Sequence, residues 1–289
     1  MKNIYRLLTL FLTLSAFSSC LKDDSAILKP EQSPSVIEFK DIVAPTSSAL
    51  APYRLFVPST LDPEVAEITI NVIVNYAGPT AAPKDINVNL TVDAGAVATY
   101  NSSQSTSYFQ LPSTAYELPS SVTIKAGERE AVVPIKLKVP QFDQSKENVL
   151  ALKIASVSSG GISGNFGTVI YSLPVKSIWE GTYTYTIIND YGTIDGNIGG
   201  TFTEEDVKLS TVGPNRLYMQ YLWRTYSGYS TYQFNGTNTS ISAIVAFSGS
   251  QRTTVIDNVV LVDATNRIFE IWWTCLGRGV KERFVRTGD

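Results

Sequence analysis

The chain has 289 residues, 44% of them hydrophobic and 17% charged, with two cysteines and no histidine. The apolar fraction supports packed cores. The missing imidazole excludes Ser-His-Asp and Cys-His catalysis and His-ligated metals, and two thiols are too few for a thiolate zinc or iron–sulfur centre. A formal net charge of -3 supplies no basic excess for a nucleic-acid backbone, so no nucleic-acid partner is expected.

At the N-terminus, Lys2 and Arg6 precede an apolar run over residues 7–17, and Ser18 and Ser19 lead into Cys20. This is the form of a signal peptide, with an apolar stretch too short to span a bilayer. The junction resembles a bacterial lipobox, with Phe17 where a leucine is usual. That resemblance implies removal of residues 1–19 and acylation of Cys20, which several acyl chains would make a stable anchor. An ordinary secreted protein whose cleavage site adjoins a cysteine is the other reading. Leu21, Lys22, Asp23 and Asp24 resemble the export signal of surface-exposed Bacteroidetes lipoproteins, or form a plain solvated linker. Residues 20–35, with Pro30 and Pro34, read as a tether. The expected location is the outer membrane, lipid-anchored and facing outward. No second long apolar run follows.

Residues 36–175 read as strand after strand. Over 65–76, Ile68, Ile70, Val72, Val74 and Tyr76 share one face; over 86–93, Ile86, Val88, Leu90 and Val92 alternate with Asn and Thr. Further strands are expected over 36–43, 53–57, 121–125, 131–139, 149–156 and 168–173, with breaks at Gly78-Pro79, Gly127 and Gly160-Gly161. No segment reads as a long amphipathic helix. The sum is an antiparallel β-sandwich.

The order Tyr100-Asn101, Leu111-Pro112, Tyr116-Glu117-Leu118, then the run 122–127 ending at Gly127, resembles the Ig-like N-terminal domain of Bacteroidetes surface lipoproteins, a family long catalogued as a domain of unknown function. The resemblance covers about half the chain. It implies a β-sandwich near a membrane anchor and the company of polysaccharide-utilisation systems, and it carries over no catalytic residue.

A hinge is expected at residues 174–177, after which composition changes: all four Trp lie from Trp179 onward. A second domain over 178–289 is expected, with strands over 179–185, 241–248, 255–262, 268–275 and 280–286. Its many short strands suit a small β-barrel or a β-sandwich, and the opening Trp179-x-Gly181-x-Tyr183 resembles that of lipocalin-like barrels. The whole chain is therefore expected to be all-β. Cys275 alternates with Phe269, Ile271 and Trp273 and reads as a buried apolar filler.

Within residues 217–234, a two-residue turn at Ser227-Gly228 would pair Trp223 with Tyr232 and Tyr221 with Phe234. Met219, Tyr221, Trp223, Tyr232 and Phe234 then make a core face. Arg224, Tyr226 and Tyr229 fall on the other, with Tyr226 and Tyr229 paired at the tip. Flat rings beside hydrogen-bonding side chains suit a sugar face, while paired tyrosines also simply stabilise a hairpin tip. Trp272 shares a face with Glu270 and Thr274 and is either an exposed ring or part of a barrel interior. Arg224, Tyr226, Tyr229 and Trp272 are the candidate glycan-binding residues.

Glu180, Asp190, Asp195, Glu204, Glu205 and Glu270 are conceivable glycosidase carboxylates, but nothing in the sequence spaces two of them for catalysis, and the run 204–206 reads as a solvated turn. Asn189, Asp190, Asp195 and Asn197 could hold Ca²⁺ or form a glycine-rich turn. No cofactor, no metal and no catalytic residue are expected. The expectation is a monomeric, non-catalytic lipoprotein that binds polysaccharide or contacts outer-membrane uptake components. A fimbrial or adhesin subunit, polymerising by exchange of its first strand, is the alternative.

Overall fold

The computed structural model describes residues 33–40 and 43–289. The signal peptide, the lipidation site Cys20 and most of the tether lie outside the described residues. The described chain is all-β, with one α-helix.

The first half contains β1 (Val36–Phe39), β2 (Arg54–Phe56), β3 (Glu67–Ala77), β4 (Ile86–Val92), α1 (Ala94–Gln104), β5 (Phe109–Gln110), β6 (Tyr116–Glu117), β7 (Ser121–Ile124), β8 (Glu130–Lys138), β9 (Asn148–Val157), β10 (Gly161–Ile162) and β11 (Thr168–Ser172). They form two sheets, ordered β10-β1-β3-β8-β6 and β2-β11-β9-β4-β7, with β5 added to β9. Val72, Val74, Ile135 and Leu137 from one sheet meet Ile86, Val88, Leu152 and Val169 from the other in one core. The sandwich is not wholly antiparallel, because β1 with β10, β2 with β11 and β5 with β9 run parallel.

The helix corrects the sequence reading. Asp93 caps α1 by accepting from the Ala96 N–H at 3.1 Å, and Ala96, Val97 and Tyr100 pack on Val149, Ala151 and Ile170. That second layer explains why β9 is buried on both faces along its first five residues. Next to the buried Tyr100, Asn101 binds the Tyr108 carbonyl and amide at 2.8 and 2.9 Å, pinning the chain that leaves the helix.

The 174–177 segment is tied down rather than hinge-like. Lys176 N–H donates to the Leu61 carbonyl and Ser177 N–H to Thr211 Oγ1, at 2.9 and 2.8 Å. Beyond it lie β12 (Gly181–Gly192), β13 (Thr201–Gly213), β14 (Arg216–Leu222), β15 (Tyr226–Phe234), β16 (Ile241–Ser248), β17 (Ser250–Arg252), β18 (Thr254–Asp263), β19 (Ile268–Cys275) and β20 (Arg278–Gly288). These make a single antiparallel sheet ordered β17-β16-β15-β14-β13-β12-β20-β19-β18. The sheet curls until its ends meet, where Thr254 Oγ1 of β18 donates to the Ile244 carbonyl of β16 at 2.5 Å. A barrel-like form follows, and it leaves little exposed sheet edge.

The barrel core is aromatic. Trp179 stacks on Phe234 at 4.7 Å and Phe269 on Phe284 at 4.3 Å, with Tyr183, Tyr185, Tyr232 and Trp273 around them. Residues 204–206, read from sequence as a turn, lie within β13. Asp206 there has φ 59°, an irregularity that lets a charged run occupy a strand.

Candidate functional site

Alternation along β20 sends Val280, Glu282 and Phe284 into the barrel. Glu282 is fully buried, and among the described residues it forms no ion pair, its neighbours Lys281 and Arg283 pairing with Asp190 and Glu270 instead. Its carboxylate accepts from Tyr185 Oη at 2.6 Å, Tyr232 Oη at 2.9 Å and Trp273 Nε1 at 2.6 Å. Burial pushes the Glu282 carboxyl up to about 7, against the opposing pull of these three donors. Sequence reasoning missed this residue, although its parity with Val280 and Phe284 marks it as inward-facing.

The hairpin register also differs from the sequence expectation. The turn is Trp223-Arg224-Thr225, and the pairs are Leu222 with Tyr226, Gln220 with Tyr229 and Leu217 with Tyr232. Trp223 and Arg224 take left-handed φ of 51° and 55°, and Tyr221 bulges at 69°. Gly228 is no turn residue. It lies where β15 passes β16, and a Cβ there would sit 1.8 Å from the Phe247 carbonyl oxygen. Trp223 is buried as expected, but against Trp273 at 5.2 Å rather than Tyr232, while Tyr221 is 42% exposed.

The four candidate glycan-binding residues are dispersed. Arg224 is spent internally: it forms a fork on Glu204 at 2.8 and 2.5 Å, donates to the Gln220 carbonyl and lies 5.1 Å over the Tyr221 ring. That guanidinium holds the Glu204 carboxyl below the usual range. Tyr229 stacks on Phe247 at 5.1 Å and 7°, with Tyr218 on its other side at 5.4 Å. Rings that stack on each other across strands offer edges more than flat faces to solvent. Trp272 is half-buried on the outer side, with Lys281 Nζ 4.6 Å from its ring.

Tyr226 stands at the open end of the barrel. Its hydroxyl donates to Asp195 Oδ2 at 2.6 Å and accepts from Asn197 Nδ2 at 3.0 Å. Asp195 also takes Arg278 Nε at 2.8 Å and the Asn197 N–H at 2.9 Å. Burial raises the Asp195 carboxyl, but these hydrogen bonds and the arginine charge outweigh it and hold it below the ordinary value. The end of β12 and the loop that follows it to Asn197 are thus braced, Asn189 accepting from the Asp195 N–H and donating to the Gly279 carbonyl. Among the described residues no cluster of metal-ligating side chains occurs.

Beside Tyr226 opens a recess of about 190 Å³, walled by Leu222, Trp223, Arg252, Cys275 and Arg278. Arg252 reaches it because Arg252 pairs with the inward-facing Ala246 across β16 and β17. Cys275 is buried here as the alternation suggested, and the desolvation pushes its thiol up. A larger cleft of about 480 Å³ lies where the two halves meet, lined by Tyr108, Lys146, Asn148, Lys176 and Glu180. Lys176 and Glu180 close on each other there at 3.1 Å, and Tyr108 is its sole aromatic wall. The barrel-end recess, with the Tyr226 ring and two guanidinium groups, has the richer recognition chemistry.

Residues 54–161 match the model of a family whose description reads "-like, N-terminal domain", less than half of the chain. No curated protein matches the chain significantly. A Bacteroides ovatus structure of unknown function is similar at 15% identity and a TM-score of 0.47, over 87% of this chain and 93% of that one. A multidomain protein including DUF1735 from the same organism has 15% identity and a TM-score of 0.44, over 86% and 92%. An auxiliary nutrient binding protein from Bacteroides thetaiotaomicron has 14% identity and a TM-score of 0.37, over 76% and 82%.

Proposed function

We propose that this chain is a surface-anchored, non-catalytic glycan-binding lipoprotein, an accessory component of a polysaccharide-uptake system. Its N-terminal sandwich, of Ig-like kind, serves as a spacer, and the barrel end holds the sugar. The observation that carries the reading is the recess beside Tyr226, where the Tyr226 ring and the Arg252 and Arg278 guanidinium groups line one opening backed by the buried Trp223. Apolar ring surface meets sugar C–H groups while the guanidinium donors meet hydroxyl and ring oxygens.

Two features favour binding over the other classes. Glu180, Asp190, Glu204 and Glu270 are each engaged by a cation, Lys176, Lys281, Arg224 and Arg283 respectively, which leaves them poorly placed as an acid and base pair. The strand that a pilus subunit would exchange, β1, is paired in its own sheet with β3, Val36 opposite Ala77 and Phe39 opposite Val74. That pairing favours a monomeric binder over a fimbrial subunit.

Calorimetry of the full chain against plant, host and microbial polysaccharides tests the proposal. A Kd of about 10 μM to 1 mM is expected, since a shallow recess leaves many hydroxyls hydrated. Tyr226→Ala should weaken binding at least tenfold and Tyr229→Ala should not. Binding that survives Tyr226→Ala moves the site elsewhere. Absence of binding to every polysaccharide favours the spacer or fimbrial reading.

A further inference from the structure

We infer that the barrel-end recess selects an acidic sugar, by seating a carboxylate of a uronic acid between Arg252 and Arg278. The inference rests on the glycan reading above and names the ligand class of the same site. Two guanidinium groups around the recess have unspent donors. Arg252 uses Nη2 on the Ser248 carbonyl at 2.9 Å, which leaves its Nε and Nη1 without a partner among the described residues. Arg278 gives only Nε to Asp195, so both its terminal nitrogens are free.

Charge points the same way. Among the described residues Arg252 has no carboxylate within ion-pair distance, although acids outnumber bases in the chain. Asp195 faces the recess but is already committed to Arg278, Tyr226 and the Asn197 amide. A half-buried arginine left unpaired is a site short of an acceptor. A planar carboxylate suits the guanidinium fork, and charge-assisted bonds of this kind are the strong ones. At about 190 Å³ the recess is smaller than the clefts of roughly 300 Å³ and more that bury drug-sized molecules, and so fits a single ring or chain end.

The test is calorimetry of the full chain with trisaccharides of galacturonic and of glucuronic acid, with their methyl esters, and with sulfated trisaccharides of neutral sugars. The acids should bind at least tenfold tighter than the esters, which keep the shape and remove the charge. Arg252→Gln should abolish that preference, and Arg252→Lys should retain part of it. Equal binding of acid and ester overturns the inference while the glycan reading stands. A preference for sulfated over uronic trisaccharides also overturns the carboxylate assignment. Failure of every one of these sugars to bind overturns the inference, and the polysaccharide panel above decides whether the glycan reading falls with it.

Discussion

Trp273 donates its indole N–H to the Glu282 carboxylate at 2.6 Å, across the pair of strands β19 and β20, inside a core rich in aromatic rings. Tyr185 and Tyr232 complete the shell, and burial in the company of this acid raises both phenols well above their ordinary range. The barrel is therefore organised around one acid whose partners are all neutral donors.

A pH dependence follows. The folded chain holds the Glu282 proton up to about 7, whereas an unfolded chain releases it near the ordinary 4.5. Below 4.5 both states are protonated and the residue has no effect. As pH rises from about 4.5 to about 7 the unfolded state loses its proton first, so stability falls, by on the order of 3 kcal/mol, and levels off above. Urea unfolding at about pH 5 and pH 8 checks this. Glu282→Gln, whose amide oxygen can still accept from Trp273 and Tyr232, should flatten the dependence, and an unchanged pH slope would contradict the assignment.

Trp223→Ala should destabilise the barrel by about 3–5 kcal/mol, because it empties a site packed against Trp273 and Tyr226. Trp272→Ala, removing a half-buried ring that lies under Lys281, should cost about 1 kcal/mol. Thermal unfolding of the two variants separates the core ring from the outer one, and equal losses would contradict the faces described.

Arg224→Ala should leave glycan affinity within twofold of wild type, since its guanidinium is already occupied by Glu204 and the Gln220 carbonyl. A modest stability loss of about 1 kcal/mol is expected, the pair being partly exposed. A tenfold loss of affinity in this variant would place Arg224 in the binding site.

These cases mark what the sequence makes legible. Strict alternation identified β16 and β19 to the residue, and placed Trp273 and Cys275 inside. It misplaced the hairpin because Ser227-Gly228 is the better turn by composition, whereas that glycine serves the close passage of the Phe247 carbonyl and the actual turn spends left-handed φ on Trp223 and Arg224. The sequence places Tyr226 on the outer face of a hairpin tip, and its setting depends on Asp195 and Arg278, which lie 31 and 52 positions away and meet only when the sheet curls. Arg252 carried no signal beyond its parity in a three-residue strand.

Anchoring is tested in cells. Cys20→Ala should release the protein from the outer-membrane fraction as a soluble species, because acylation needs the thiol. Retention in that fraction would contradict the lipid anchor.

The most direct measurement for the central claim is hydrogen–deuterium exchange of the full chain with and without a polysaccharide that it binds. Added protection should be confined to residues 222–226, 248–252 and 275–278 around the barrel end. Protection centred instead on the Tyr218, Tyr229 and Phe247 row, or on the N-terminal sandwich, would contradict it.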